Sequence, residues 1–279
     1  MGRKLAMATA AGGSYNRGPM FRLPKFAYLV VVALALAANT VLAQYHRIDL
    51  AEVTADSGEL LRVHGSSGNG AFGVPVAGGR DCDGDGLADY ALAAMLASPL
   101  GRDRAGLIQL VFGDGTIAGI VDTSIVQPRV LRIAGSARQE NAGNEMWIDD
   151  VTGDGIADLM IGRQNYSFTA ALAGNGALSI IAGGPALRQL AEAGEIIDLR
   201  QPPAELTMVT LIGGQRSGRL GMWVRSGDVD GDGIADVLLG ADQEDHIGET
   251  HSGSVYVIRG GAHLGASRTV SLADLASSG

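Results

Sequence analysis

Three acidic nonapeptides hold the residues of this sequence best suited to chemistry: Asp81-Cys-Asp-Gly-Asp-Gly-Leu-Ala-Asp89, Asp150-Val-Thr-Gly-Asp-Gly-Ile-Ala-Asp158 and Asp228-Val-Asp-Gly-Asp-Gly-Ile-Ala-Asp236. Carboxylates at the first, third, fifth and ninth positions can turn hard oxygens onto one point. The sixth-position glycine permits the sharp bend, and the seventh-position carbonyl can complete an oxygen shell. Ca²⁺ is the ion such a shell suits best. The candidate ligands of the first loop are Asp81, Asp83, Asp85, Asp89 and the Leu87 carbonyl. Those of the second are Asp150, Thr152, Asp154, Asp158 and the Ile156 carbonyl, and those of the third are Asp228, Asp230, Asp232, Asp236 and the Ile234 carbonyl. Up to three ions are expected. Thr152 supplies a hydroxyl where the other loops supply a carboxylate, so the second site is expected to be the weakest.

The segments around the loops decide which calcium motif this is. An EF-hand closes its shell with a glutamate at position 12 and flanks the loop with helices, but that position is Leu92, Ile161 or Leu239. The shell must close at position 9. Similar segments surround each loop in the same order, which makes this a repeat protein. Ile48-Asp-Leu, Val121-Asp-Thr, Ile197-Asp-Leu and Val270-Ser-Leu open the units. An apolar strand ending in glycine follows (60–65, 130–135, 208–213), then a second strand (72–76, 145–148, 222–225), the loop, a third strand (90–96, 159–162, 237–241) and a fourth (107–112, 177–182, 254–258). These runs are β-branched and aliphatic, as buried strands are. The units span about 47–119, 120–195 and 196–268, with a partial fourth at 269–279, and only 186–193 and 272–276 look helical. Four strands per unit, linked as a meander with the acidic loop at a hairpin tip, is the makeup of a β-propeller blade.

The order of Ala71-Phe-Gly, Asp81–Asp89, Ala93-Ala and Ala105-Gly-Leu-Ile-Gln-Leu-Val-Phe-Gly resembles an FG-GAP repeat, and the third unit matches best, with Gly240-Ala241 and Ser252-Gly-Ser-Val-Tyr-Val-Ile after its loop. FG-GAP repeats are the blades of the integrin α-subunit propeller and of many bacterial surface proteins. The resemblance covers roughly residues 47–270. It implies an all-β fold of β-propeller blades, here three four-stranded repeats plus the start of a fourth in an incomplete ring, with Ca²⁺ in each acidic hairpin. Two departures stand out: Asn144-Glu-Met replaces the Phe-Gly pair in the second unit, and propellers close with about four to eight blades. Three units read as a truncated frame, a fragment, or one part of a ring assembled from a longer chain or an oligomer.

The composition agrees with a turn-rich β protein: 42 glycines, 5% aromatic and 46% hydrophobic residues in 279. Residues 1–43 contain five basic residues and no acid, an apolar run from Phe26 to Ala38, and Val41-Leu-Ala43 before Gln44. This reads as a secretory signal peptide, with Met20 as an alternative start. An uncleaved anchor is the competing reading, although the run is shorter than the roughly 20 residues of a spanning helix. The rest of the chain, 44–279, is the repeat region. It is more acidic than the net −9 of the whole, which argues against nucleic acid or an anionic membrane as partner. Cys82 is the single cysteine, so no internal disulfide forms, and calcium is the available substitute.

Other motifs carry less. Gly68-Asn-Gly-Ala-Phe-Gly73 matches a dinucleotide pattern but precedes a strand instead of a helix. His246 and His251 lie near Glu244, Asp245 and Glu249 without a zinc spacing. Trp147 and Trp223 are expected between blades. The leading expectation is a secreted or cell-surface calcium-binding module for adhesion or for binding an extracellular protein or glycan, with no membrane span after signal cleavage. A calcium-dependent enzyme acting on polysaccharides, or a fragment with a structural role alone, are the alternatives. No catalytic residue is assigned.

Overall fold

The computed structural model describes residues 60–273 together with Thr54 and Gly58. The leader, the first unit-opening segment and most of the 272–276 helix lie outside the described residues. Within them run β1 (Leu61–His64), β2 (Phe72–Arg80), β3 (Asp89–Ala94), β4 (Leu107–Val111), β5 (Gly119–Asp122), β6 (Val130–Ala134), β7 (Met146–Asp149), β8 (Asp158–Arg163) and β9 (Ala177–Ile181). Helix α1 (Pro185–Glu192) follows, then β10 (Ile196–Asp198), β11 (Met208–Ile212), β12 (Trp223–Gly227), β13 (Asp236–Ala241), β14 (Ser254–Ile258) and β15 (Arg268–Ser271). The fold is all-β apart from α1 and two short 3-10 turns.

The strands form four sheets. The first is the pair β1-β5, the second has the order β10-β6-β4-β3-β2, the third β15-β11-β9-β8-β7, and the fourth β12-β13-β14. In β4, β8 and β9 every residue is buried, because apolar runs such as Leu107-Ile-Gln-Leu-Val111 are covered on both faces. Ile108, Leu110, Leu131 and Ile133 of the second sheet meet Met146, Ile148 and Ile161 of the third. Met160, Leu178 and Ile180 of the third meet Val224, Val237 and Leu239 of the fourth. The first sheet joins the second through Val111, Val121 and Val130, against which Leu61, Val63, Tyr90 and Leu92 pack. The sheets therefore stack in chain order.

Strand pairing departs from a meander confined to each unit. The first strand of a unit hydrogen-bonds to the last strand of the preceding one: β6 runs antiparallel to β4, from Leu107↔Ala134 to Val111↔Val130, and β11 to β9, from Ala177↔Ile212 to Ile181↔Met208. Sequence unit and sheet are offset by one strand. The chain then crosses from β6 or β11, second from one edge of its sheet, to the opposite edge of the next, through turns in which Gln139 and Asn141, or Ser217 and Arg219, take positive φ. The unit-opening segments return as parallel edge strands, β5 on β1, β10 on β6 and β15 on β11. Because β10 is reached only after β9 of the third sheet, the second and third sheets are interlocked.

Of the two tryptophans, Trp147 packs against the core between the third and fourth sheets and donates from Nε1 to Ser226 Oγ at 2.8 Å. Trp223 is 54% exposed and does not fill the expected place between sheets. A buried ion pair sits at the turn between the second and third sheets. Glu140 accepts from the Ser136 amide and hydroxyl, the Ala137 amide and Arg163, whose guanidinium also donates to Ser179 and stacks on the Tyr166 ring. At the corresponding places the neighbouring units carry Gly70 with Ala94 and Gly218 with Ala241. Removing one partner strands a buried charge, which costs about 3–5 kcal/mol. Urea unfolding should therefore show Glu140→Gly and Arg163→Ala each destabilised by that amount, and the double variant less than the sum of the two. Additive losses would show that the pair is not coupled.

Candidate metal centre

Each nonapeptide is a hairpin tip, between β2 and β3, β7 and β8, or β12 and β13. The first aspartate winds the loop around itself. Asp81 accepts from the amides of Gly84 and Gly86, both at 2.7 Å, and of Asp83 at 3.2 Å. Asp150 does the same with Gly153, Asp154 and Gly155, and Asp228 with Gly231, Asp232 and Gly233. Glycine is required at the fourth and sixth positions because the φ values lie between 77° and 92° in all three loops. Burial works against the Asp81 carboxylate, but the amides of Gly86, Gly84, Asp83 and Asp85 outweigh it and hold the acid below its usual range.

The ninth aspartate is buried and shared between two parts of the chain. Asp89 accepts from the amides of Cys82 and Gly113, both at 2.8 Å. Asp158 accepts from Val151 and Thr152 at 2.9 Å and from Gly183 at 3.0 Å. Asp236 accepts from Val229 and Gly260 at 2.8 Å. This residue clips the start of the hairpin to the glycine that follows the next strand but one. Burial pushes Asp89 and Asp158 up to about 6 against those hydrogen bonds. In Asp236 the bonds from Gly260 and Val229 win and the acid is lowered. No further sheet stacks beyond the fourth among the described residues, so less protein surrounds this carboxylate.

Carboxylate oxygens of Asp81, Asp83 and Asp89 lie within 4.8 Å of one another, as do those of Asp228, Asp230 and Asp236. These hard-oxygen triads can hold a divalent cation. The second loop places Thr152 between Asp150 and Asp158, its hydroxyl 3.4 Å from an oxygen of each, and forms no acidic triad. The fifth-position acids stand apart from the triads. Asp85 and Asp83 are bridged by the Arg188 guanidinium of α1, at 2.8 and 2.6 Å, and Asp232 and Asp230 by Arg259, at 2.8 and 2.9 Å. Among the described residues, Asp154 has no such cation and accepts only from the Ile156 amide. Leu87, Ile156 and Ile234 each donate an amide to the fifth-position acid.

Neighbouring loops touch. The Ile156 side chain lies over Gly84 and that of Ile234 over Gly153, where an added Cβ would fall 2.8 Å from Ile234 Cδ1. The Ala157 amide donates to the Asp81 carbonyl at 2.8 Å. The Cys82 thiol points into the core, where burial and then the Asp89 charge raise it and keep it neutral. His246 and His251 join no ligand cluster among the described residues. Glu244 is turned inward to the Tyr256 hydroxyl.

One element set is thus built three times: a strand, an acidic hairpin and two further antiparallel strands. Over residues 220–258, which hold the third copy from Leu220 through Ile258, the sequence matches the family model of the FG-GAP repeat. That segment is similar to one FG-GAP repeat. No curated protein matches the chain. The matched FG-GAP segment contains the whole Asp228–Asp236 hairpin with β12, β13 and β14, the same parts that surround the first two loops. Sequence reasoning did not find Arg188 and Arg259, which no spacing to the loops marks. Gly113, Gly183 and Gly260 were legible in principle, since a glycine stands two residues past each of β4, β9 and β14.

The clip is made of backbone donors from two parts of the chain. With chelator present, Asp158→Ala leaves the Thr152 and Gly183 amides without an acceptor and should lower unfolding stability by at least about 2 kcal/mol. Asp154→Ala should stay within about 0.5 kcal/mol. Equal effects in urea titrations would contradict the assignment of the ninth position.

Proposed function

We propose that this chain is a secreted or surface-exposed module of FG-GAP-type propeller blades, in which Ca²⁺ in the acidic hairpins stiffens a scaffold for binding an extracellular protein or glycan. The observation that carries this reading is the convergence of Asp81, Asp83 and Asp89, repeated in Asp228, Asp230 and Asp236, at the same point of the same hairpin. The donors are all carboxylate oxygens, the chemistry Ca²⁺ prefers. Bound there, the ion supplies a positive centre between carboxylates that the backbone has already aimed. The first and ninth aspartates are preset by amide donors. Arg188 and Arg259 offset the charge of the third and fifth acids, so each hairpin holds together while several carboxylates lie close.

The second and third sheets each have four antiparallel strands and a parallel fifth, which supports reading them as blades. The leader at residues 1–43 supports secretion, and among the described residues no helix is long and apolar enough to cross a membrane. The stretch Asp242–His251 supports recognition, because its tip holds Ile247 in water.

With free Ca²⁺ near millimolar and a dissociation constant of about 10⁻⁴–10⁻³ M, each occupied site adds roughly 0.4–1.4 kcal/mol of stability. Calorimetric titration should show two sites of similar affinity and a weaker third. Asp81→Asn should weaken one of the two, Thr152→Asp should strengthen the third, and chelation should lower the melting temperature. Melting that is the same with and without chelator would remove calcium from the account.

A further inference from the structure

Among the described residues, the first and fourth sheets are each short of the strands that the second and third sheets have. In the second and third sheets, three antiparallel strands that begin at an acidic hairpin are extended by a fourth antiparallel strand, β6 or β11, and by a parallel fifth, β10 or β15. The fourth sheet has only the three, β12-β13-β14. The first has only the other two, because β1 aligns with β6 and β11 in the repeat and carries β5 in the same parallel register, Val63↔Val121 matching Ile133↔Ile197 and Leu211↔Val270. Among the described residues, the outer edges of β1 and β14 are unpaired.

The apolar faces are complementary in the same way. Met146 of β7 and Val224 of β12 are 1% and 0% exposed, because each packs against the preceding sheet. Val76, at the matching place of β2 by its pairing with Leu92, is 62% exposed. Ile108 and Leu110 of β4 and Leu178 and Ile180 of β9 are all but fully buried against the following sheet. Their counterparts on β14, Val255 and Val257, are 72% and 55% exposed. A further sign lies beside them: Glu244 Oε1 is buried without a hydrogen-bond donor among the described residues, next to the Tyr256 hydroxyl that serves Oε2.

We propose that β1 and β5 of a second copy of this chain complete the fourth sheet, and that two copies joined reciprocally close one ring. The proposal rests on the propeller reading above. The described residues of each chain then supply two whole sheets and the two parts of a third, so those of two copies give six, within the about four to eight that close a propeller, whereas those of three copies would give nine. The register follows from the repeat. β4-β6 and β9-β11 pair Ile108↔Ile133 and Leu178↔Leu211, which sets Val255 opposite Val63, Tyr256 opposite Arg62 and Val257 opposite Leu61 of the partner copy. Opposed residues share a sheet face. Arg62, exposed and without an ion pair among the described residues, thereby comes to the face of Tyr256 and the unsatisfied Glu244 carboxylate. In the same movement Val255 and Val257 of one copy meet Val76 of the other, and both exposed edges disappear.

The test is light scattering of the full chain in millimolar Ca²⁺, with two engineered cysteine pairs. The mass should be twice that of one chain at micromolar concentration. Val63→Cys with Val255→Cys should form an intermolecular disulfide, since directly opposed residues lie at bridging distance, and Leu61→Cys with Val255→Cys, two residues out of register, should not. Val255→Glu with Val257→Glu should weaken the dimer at least about a hundredfold, because two carboxylates would be buried without partners, and should leave calcium binding unchanged. A single-chain mass with calcium binding intact overturns strand completion and leaves the calcium module standing. A dimer in which both cysteine pairs bridge equally well overturns it too, by locating the interface elsewhere. Loss of calcium binding in the native chain would instead sink the functional reading on which the ring rests.

Discussion

The architecture depends on a carboxylate that is buried to serve as an acceptor. Asp89, Asp158 and Asp236 each gather backbone amides from the first residues of an acidic hairpin and from a glycine beyond the next strand but one. Burying an ionised acid is costly unless charge-assisted hydrogen bonds replace its water. The amide bonds do so only in part at the first two loops, where burial still leaves the acids at about 6. The same clip fixes the start of the loop against the sheet, and only then do the first and third aspartates face a common point. The position of the loop and its attachment to the sheet therefore share one residue.

From that clip the structure grows by contact between copies. A seventh-position isoleucine over the preceding loop's fourth-position glycine, and an amide from one loop to the carbonyl of another, line the hairpins up in a row. The parallel strands β10 and β15 reach back to earlier sheets, so neighbouring sheets are joined by backbone hydrogen bonds as well as by apolar packing. Individuality enters at few places. Glu140 and Arg163 replace a glycine and an alanine at one turn, and Thr152 replaces an aspartate in the middle loop. The first change fills space between sheets with a satisfied polar network, and the second leaves the middle hairpin without an acidic triad.

Much of this was legible in the residues. The aspartate and glycine spacing located all three hairpins, and the apolar runs located strands such as β4, β9 and β14 to within a residue, because both signals are local. The meander of the second, third and fourth strands of each unit was legible, but which sheet the first strand joins was not. A periodic sequence has no mark that says where one sheet ends, and the choice between β6 joining β4 or β7 is made by the crossing turn with Gln139 and Asn141 in the left-handed region. Trp223 looked like a core residue by type and is exposed, because its strand is an edge whose face is only partly covered. Arg188 comes to the first loop from a helix about a hundred residues later in the chain, a contact created by stacking alone.

The central claim is that the ninth aspartate organises each hairpin and that ion binding builds on a loop already formed. Amide hydrogen exchange, followed with chelator and then with saturating Ca²⁺, tests this most directly at Gly113, Gly183 and Gly260, the amides that the three aspartates hold. The account predicts slow exchange at all three in chelator, with calcium adding protection at the loop amides of Gly84, Gly86, Gly231 and Gly233 more than at Gly153 and Gly155. Exchange at Gly113, Gly183 and Gly260 as fast as in an open loop until calcium is added would contradict it, and would make the ion the organiser of the hairpin.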